Sequence, residues 1–145
     1  MILHMRKRIV LDTNVVVAGL RSRNGASFRI LELVGSGRFE IVVSVPLVLE
    51  YEDVLKRMAR GLGLRHADID AVLDYLCHVA DRRGIFFLWR PILRDARDDM
   101  VLEAAVEAGC DHIVTHNLRD FAGCERFGIR AVTPGRFLAS LEGRA

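Results

Sequence analysis

A three-layer α/β/α sandwich around a mainly parallel sheet of about five strands is predicted by two observations. Short apolar runs stop abruptly at polar residues, and they alternate with stretches whose apolar residues recur at helical spacing. Arg8 to Leu11 is the first strand, because Ile9, Val10 and Leu11 run unbroken into Asp12-Thr13-Asn14. Val15 to Leu20 opens a helix that the polar, glycine-containing Arg21 to Gly25 interrupts. Ser27 is read as the N-cap of the next helix, which carries Phe28, Leu31 and Val34 until Gly35 and Gly37 end it. Ile41 to Val43 is a second buried strand, and Pro46 after Ser44 marks the start of a helix reaching about Arg60.

Gly61 and Gly63 break that helix, and another from about Ala67 to Ala80 presents Ile69, Val72, Leu73 and Leu76 on one stripe. Ile85 to Leu88 is the expected third strand, followed by a polar connection from Pro91 to Arg97. Asp98-Asp99 opens a helix with Val101, Leu102, Ala105 and Val106, closed by Gly109. Ile113 and Val114 form a fourth strand, Arg130 to Val132 a fifth, and Pro134 starts a last short helix. Neither a repeat nor a linker is visible, so residues 1–145 read as one domain with a core of about 8–142.

Composition narrows the function classes. The 145 residues are 51% hydrophobic and 28% charged, far from the disordered and fibrous classes. A formal net charge of only +2 means that any polyanion must be met by a local basic patch. Cys77, Cys110 and Cys124 are odd in number and lack C-x-x-C spacing, which argues against a disulfide framework or a thiolate zinc site. His112 and His116 flank a strand without an acid or thiolate at zinc-ligand spacing. No apolar run reaches the ~20 residues of a membrane span, and Met1 to Arg8 lacks the apolar core of a signal peptide. The expectation is a cytoplasmic protein with no membrane partner.

In open α/β sheets, ligands sit beyond the carboxyl ends of the strands. That is where the acids fall: Asp12 after the first strand, Glu50 in the helix after the second, Asp98 in the helix after the third, and Asp120 just past the fourth. Carboxylates so placed would repel one another unless a cation neutralised them. Magnesium, a hard ion that takes oxygen ligands and keeps several waters, suits such a cluster, and phosphodiester hydrolysis is the chemistry it serves.

The ordered segments Ile9-Val10-Leu11-Asp12-Thr13-Asn14, Val43-Ser44-Val45-Pro46-Leu47-Val48-Leu49-Glu50, Asp98-Asp99-Met100-Val101-Leu102-Glu103-Ala104-Ala105 and Ile113-Val114-Thr115-His116-Asn117-Leu118-Arg119-Asp120-Phe121 resemble the motifs of PIN (PilT N-terminal-like) domains. The resemblance runs from Arg8 to about Pro134. It implies a Mg2+-dependent endoribonuclease, with Mn2+ as substitute, and Asp12, Glu50, Asp98 and Asp120 as catalytic and metal-site residues. Within the family it points to the VapC-like branch, the toxin half of a toxin–antitoxin pair, hence RNA as substrate and a small antitoxin as partner. Asp12, Glu50 and Asp98 match the family positions. Many PIN domains carry a further acid two residues after the threonine, where this chain has Asn117, so the next carboxylate is Asp120.

Thr13, Asn14, Thr115 and Asn117 stand as supporting residues, and Arg94, Arg97 and Arg119 as cations for RNA phosphates. Each has a plainer reading. Asp12 suits a helix cap, Glu50-Tyr51-Glu52-Asp53 suits a solvated face paired with Lys56 and Arg57, and Asp98-Asp99 suits a helix N-terminus. Abundant apolar residues leave room for a homodimer. Two other functions compete: a PIN fold that binds RNA or protein without catalysis, and a receiver or haloacid-dehalogenase-like phosphotransfer domain. The second lacks its paired acids, because Asp12 is alone at its strand end and Asn14 holds the place of a second Asp.

Overall fold

The computed structural model describes residues 6–83 and 96–143, without the side chains of 82, 83 and 96–98. Five strands, β1 (Lys7–Leu11), β2 (Phe39–Ser44), β3 (Asp81–Arg83), β4 (His112–Val114) and β5 (Arg130–Val132), form one sheet in the order β3-β2-β1-β4-β5. Every pairing is parallel, with Ile9 opposite Ile41 on one side and Leu11 opposite Val114 on the other. Successive strand residues point to opposite faces. Ile9, Val10 and Leu11, like Ile41, Val42 and Val43, are all buried, so both faces of the central strands are covered. The architecture is the expected α/β/α sandwich.

Helices α1 (Thr13–Arg21) and α2 (Ala26–Leu33) connect β1 to β2. Gly19 lets them approach closely: a Cβ there would collide with the Leu31 side chain. Between β2 and β3 come α3 (Val45–Arg57), the short α4 (Ala59–Leu62) and α5 (His66–Val79); α6 (Ala96–Glu107) precedes β4, and α7 (Pro134–Leu141) follows β5. At the end of α6, Gly109 takes φ +62°, Cys110 N–H donates to Ala105 C=O at 2.8 Å and Gly109 N–H to Val106 C=O at 3.2 Å. This glycine-closed stop turns the chain directly into β4.

Several boundaries move for physical reasons. Ser27 is not a cap: α2 starts at Ala26 after Gly25, and Ser27 is buried inside the helix. The third helix ends at Arg57, before the expected Arg60, and Met58 separates it from α4. Asp98 does not open its helix, which has begun by Ala96. The third strand described is the polar Asp81–Arg83, paired with β2; the expected Ile85 to Leu88 lies outside the described residues. No helix among the described residues is long and apolar enough to cross a membrane.

Candidate active site

The strand order reverses direction between β1 and β4, which makes the crevice beyond their carboxyl ends the switch point of the sheet. Asp12 is the first residue past β1, and its N–H donates to Val114 C=O of β4 at 2.9 Å. It caps α1, its Oδ1 accepting from Thr13 N–H at 2.8 Å. Its Oδ2 accepts from Thr115 Oγ1 at 2.7 Å, so the carboxylate bridges the switch point. Capping and a place in the crevice thus coincide in one residue. Asp12 is only 6% exposed. Burial pushes its carboxyl above the usual range and Asp120 adds to the rise, while the bonds from Thr115, Thr13 and Asn14 pull it down. No cation figures among these influences.

Thr115 is fully buried just after β4, held there by its own N–H donating to Val132 C=O at 2.9 Å. Its hydroxyl gives its proton to Asp12 and accepts from Asn117 N–H at 3.0 Å. Asn14 Nδ2 approaches the same oxygen at 3.5 Å, and Asn14 Oδ1 accepts from His116 N–H at 3.2 Å. The four residues read as supporting therefore do different things: Thr13 and Thr115 orient Asp12, Asn14 ties α1 to the turn after β4, and Asn117 fastens that turn through its backbone. Thr115→Val keeps shape but removes the donor to Asp12 and the acceptor for Asn117. A stability loss of about 1–3 kcal/mol is expected in denaturant melts.

Helix α3 brings the second acid. Ser44 Oγ caps it by accepting from Leu47 N–H at 3.3 Å, and Pro46 fits its first turn. The run Glu50-Tyr51-Glu52-Asp53 is then divided by helical geometry. Glu52 pairs with Lys56 at 3.1 Å and Asp53 with Arg57 at 2.9 Å, the solvated face anticipated for the whole run. Glu50 instead lines the cavity that contains Asp12. Tyr51, missed by sequence reasoning, joins the buried stripe Leu47, Tyr51, Leu55, and its hydroxyl donates to Leu11 C=O, next to Asp12. Burial pushes that phenol well above its usual range, with Asp12 nearby adding to the rise. The helix that carries Glu50 is thereby pinned to the strand end that carries Asp12.

The cavity has a volume of about 590 Å³. Asp12, Glu50 and Asp120 line it together with Asn14, Asn117 and Arg21. Asp120 reaches it from a 3₁₀ turn, Leu118–Phe121, whose Phe121 is buried. Helix α6, with Asp98 in its first described turn, packs against β1 and α3, the elements that deliver Asp12 and Glu50. The side chains of Asp98 and Arg97, and all of Arg94, lie outside the described residues. Arg119 lines a neighbouring cavity, and Asp99 is buried at 5% exposure.

Carboxylate and amide oxygens are the donors a hard divalent cation takes. Among the described residues, no three His, Cys, Asp or Glu side chains are gathered as a ready cage. An ion that needs one or two carboxylates and leaves its other positions to water and phosphate oxygens fits this donor set; zinc in a closed structural site does not.

The PIN domain family model matches residues 8–119. The chain belongs to the PIN domain family. This PIN domain is also similar to a chain in the crystal structure of VapBC2 from Rickettsia felis bound to a DNA fragment from their promoter, with a TM-score of 0.57 and 14% identity. That match covers 87% of this chain and 98% of the other, a likeness of fold. No curated protein matches the chain. Family membership displaces the receiver and phosphotransfer alternatives.

Proposed function

We propose that this PIN domain is a divalent-cation-dependent endoribonuclease acting as the toxin of a toxin–antitoxin pair. The observation that carries the reading is the convergence of Asp12, Glu50 and Asp120 on one recess at the switch point of the sheet. Mg2+ or Mn2+ held by Asp12 with Glu50, Asp98 and Asp120 would polarise a phosphate oxygen and generate hydroxide from water.

The chain's own residues prepare the recess for that role. Thr115 and Thr13 fix both oxygens of Asp12 before anything binds, so little reorganisation is needed. Tyr51 sets Glu50 relative to Asp12 through the Leu11 carbonyl. The raised carboxyl of Asp12, buried without a countercharge among its described influences, gains from an incoming cation.

The toxin reading is supported by the fold shared with a chain of VapBC2. It is also supported by an apolar groove of about 370 Å³ between α2 and α5, where Phe28, Leu31, Val72 and Tyr75 offer a seat to a short amphipathic antitoxin segment. The test is cleavage of an end-labelled RNA by the purified chain. Cleavage stops in excess chelator and returns with Mg2+ or Mn2+. Cleavage that persists in chelator, and that Asp12→Asn leaves unaltered, contradicts the reading.

A further inference from the structure

Register partners in a parallel sheet share a face, as do residues two apart along a strand. Lys7 is the partner of Phe39, Ile9 of both Ile41 and His112, and His112 of Arg130. One face of the sheet therefore carries Phe39, Lys7, Ile9, His112 and Arg130 across four strands. The buried Phe137 of α7 sits on that face, its ring meeting Phe39 of β2 edge-on at 5.4 Å and His112 of β4 at 6.0 Å. Since β1 lies between β2 and β4, Phe137 spans it. The helix is seated on one aromatic ring and one titratable ring. Its far end is fastened by Arg38, whose guanidinium donates to Leu141 C=O at 2.9 Å, and its flank packs against α2.

A positive charge is poorly accommodated at His112. The residue is half-buried, and its Nδ1 is enclosed with no hydrogen-bond partner. With the proton of the neutral ring on Nε2, Nδ1 presents only a lone pair to its surroundings. A second proton places an N–H there that has no acceptor, and a buried donor left unpaired is destabilising. Burial is the largest influence holding the imidazole below its ordinary 6.5. Lys7 of β1 and Arg130 of β5, both on the same face, add to the effect, and Asp111 just ahead of β4 opposes it. Among the described residues, no charged group of α7 or α2 figures in this balance.

We propose that His112 is an acid-sensitive latch on the last helix: neutral, it lets Phe137 close over the sheet, and protonated, it releases α7. The latch uses no residue of the acidic recess, so it stands or falls apart from the nuclease reading. Its sign follows from the weakened hold on a proton. The opened form takes up the proton more readily than the closed one, so opening is favoured as pH falls through 6.5 and gains nothing more below the closed form's value. Asp12 acts in the opposite direction, because its ionisation penalty fades in acid. A global melt sums the two, whereas a readout at α7 isolates the latch.

The experiment is amide hydrogen exchange of the full chain at about pH 7.5 and about pH 5.5, corrected for the intrinsic rate at each pH, beside an NMR titration of the His112 ring. The amides of α7 should open in a step of their own, more readily than those of β1. Acidification should raise the α7 opening constant by up to about tenfold, the most that one histidine of ordinary value 6.5 adds over that span. His112→Gln and His112→Phe do not titrate there, and each should remove this response. Lys7→Gln takes away a repelling cation and should move the His112 titration upward. The same acid response in both His112 variants, α7 and β1 amides exchanging together at both pH values, or a His112 ring that titrates at or above 6.5 overturns the latch.

Discussion

Asp12→Asn is expected to reduce RNA cleavage by far more than the ~100-fold at which the loss of an orienting partner tops out, while leaving the metal-free protein about as stable as before. The two halves of this expectation come from the same geometry. The carboxylate is the recess's most enclosed acid at 6% exposure, and an amide there cannot supply the charge that a cation or a developing transition state needs. For the fold, the change is mild. An amide oxygen can still accept from Thr13 N–H as at 2.8 Å, and the amide nitrogen can donate to Thr115 Oγ1, reversing the 2.7 Å bond at the cost of the acceptor for the Thr115 hydroxyl proton.

The sign of the charge effect follows from the raised carboxyl of Asp12. An acid whose folded pKa lies above its unfolded value carries a penalty that is fully present above the folded pKa and fades as pH falls towards 3.8. An uncharged amide at this position carries no such penalty. At neutral pH the substitution therefore gains what ionisation had cost, and the advantage over the unmodified chain disappears at acid pH. Thermal melts at pH 4 and pH 7, run beside cleavage assays, check both halves. A large fall in melting temperature with cleavage intact would make Asp12 a structural cap and nothing more.

Glu50→Gln should lower cleavage by about 100-fold, the upper end of what an orienting loss costs. Its neighbours on α3 provide the contrast. Glu52→Gln removes one of two carboxylates on Lys56, which keeps Asp70 at 2.8 Å, and Asp53→Asn breaks an exposed pair with Arg57. Both should leave cleavage unchanged and shift stability by no more than ~0.5 kcal/mol. Initial rates for the three variants, with matched melts, decide the matter. Equal activity in Glu50→Gln and Glu52→Gln would mean that the orientation of Glu50 towards Asp12 has no chemical consequence.

The central strands were legible because burial on both faces leaves an unbroken apolar signature, as in Ile9-Val10-Leu11 and Ile41-Val42-Val43. The edge was not. Asp81–Arg83 pairs through its backbone with β2, and an edge strand can be wholly polar, so no periodicity marks it. Ser27 illustrates a different failure. A serine just past a polar, glycine-containing stretch reads as a cap, and nothing local says that its hydroxyl meets His116, 89 residues away. Tyr51 is read only within the solvated run Glu50-Tyr51-Glu52-Asp53; its i+4 spacing from Leu47 and Leu55 places it in the core, and its bond to Leu11 belongs to tertiary structure. The acids fared better, since strand ends in a parallel sheet converge by topology: Asp12, Glu50 and Asp120 do line one recess. Arg21 reads in the sequence as part of a polar loop, although it closes α1 and borders the acids.

Binding of Mn2+ to the RNA-free protein, followed by the loss of the free-ion signal in electron paramagnetic resonance, tests most directly whether Asp12 anchors a cation. The unmodified chain should take up Mn2+, Mg2+ should compete for it, and Asp12→Asn should lose that uptake while keeping its melting temperature. Equal Mn2+ uptake by both proteins would contradict the account.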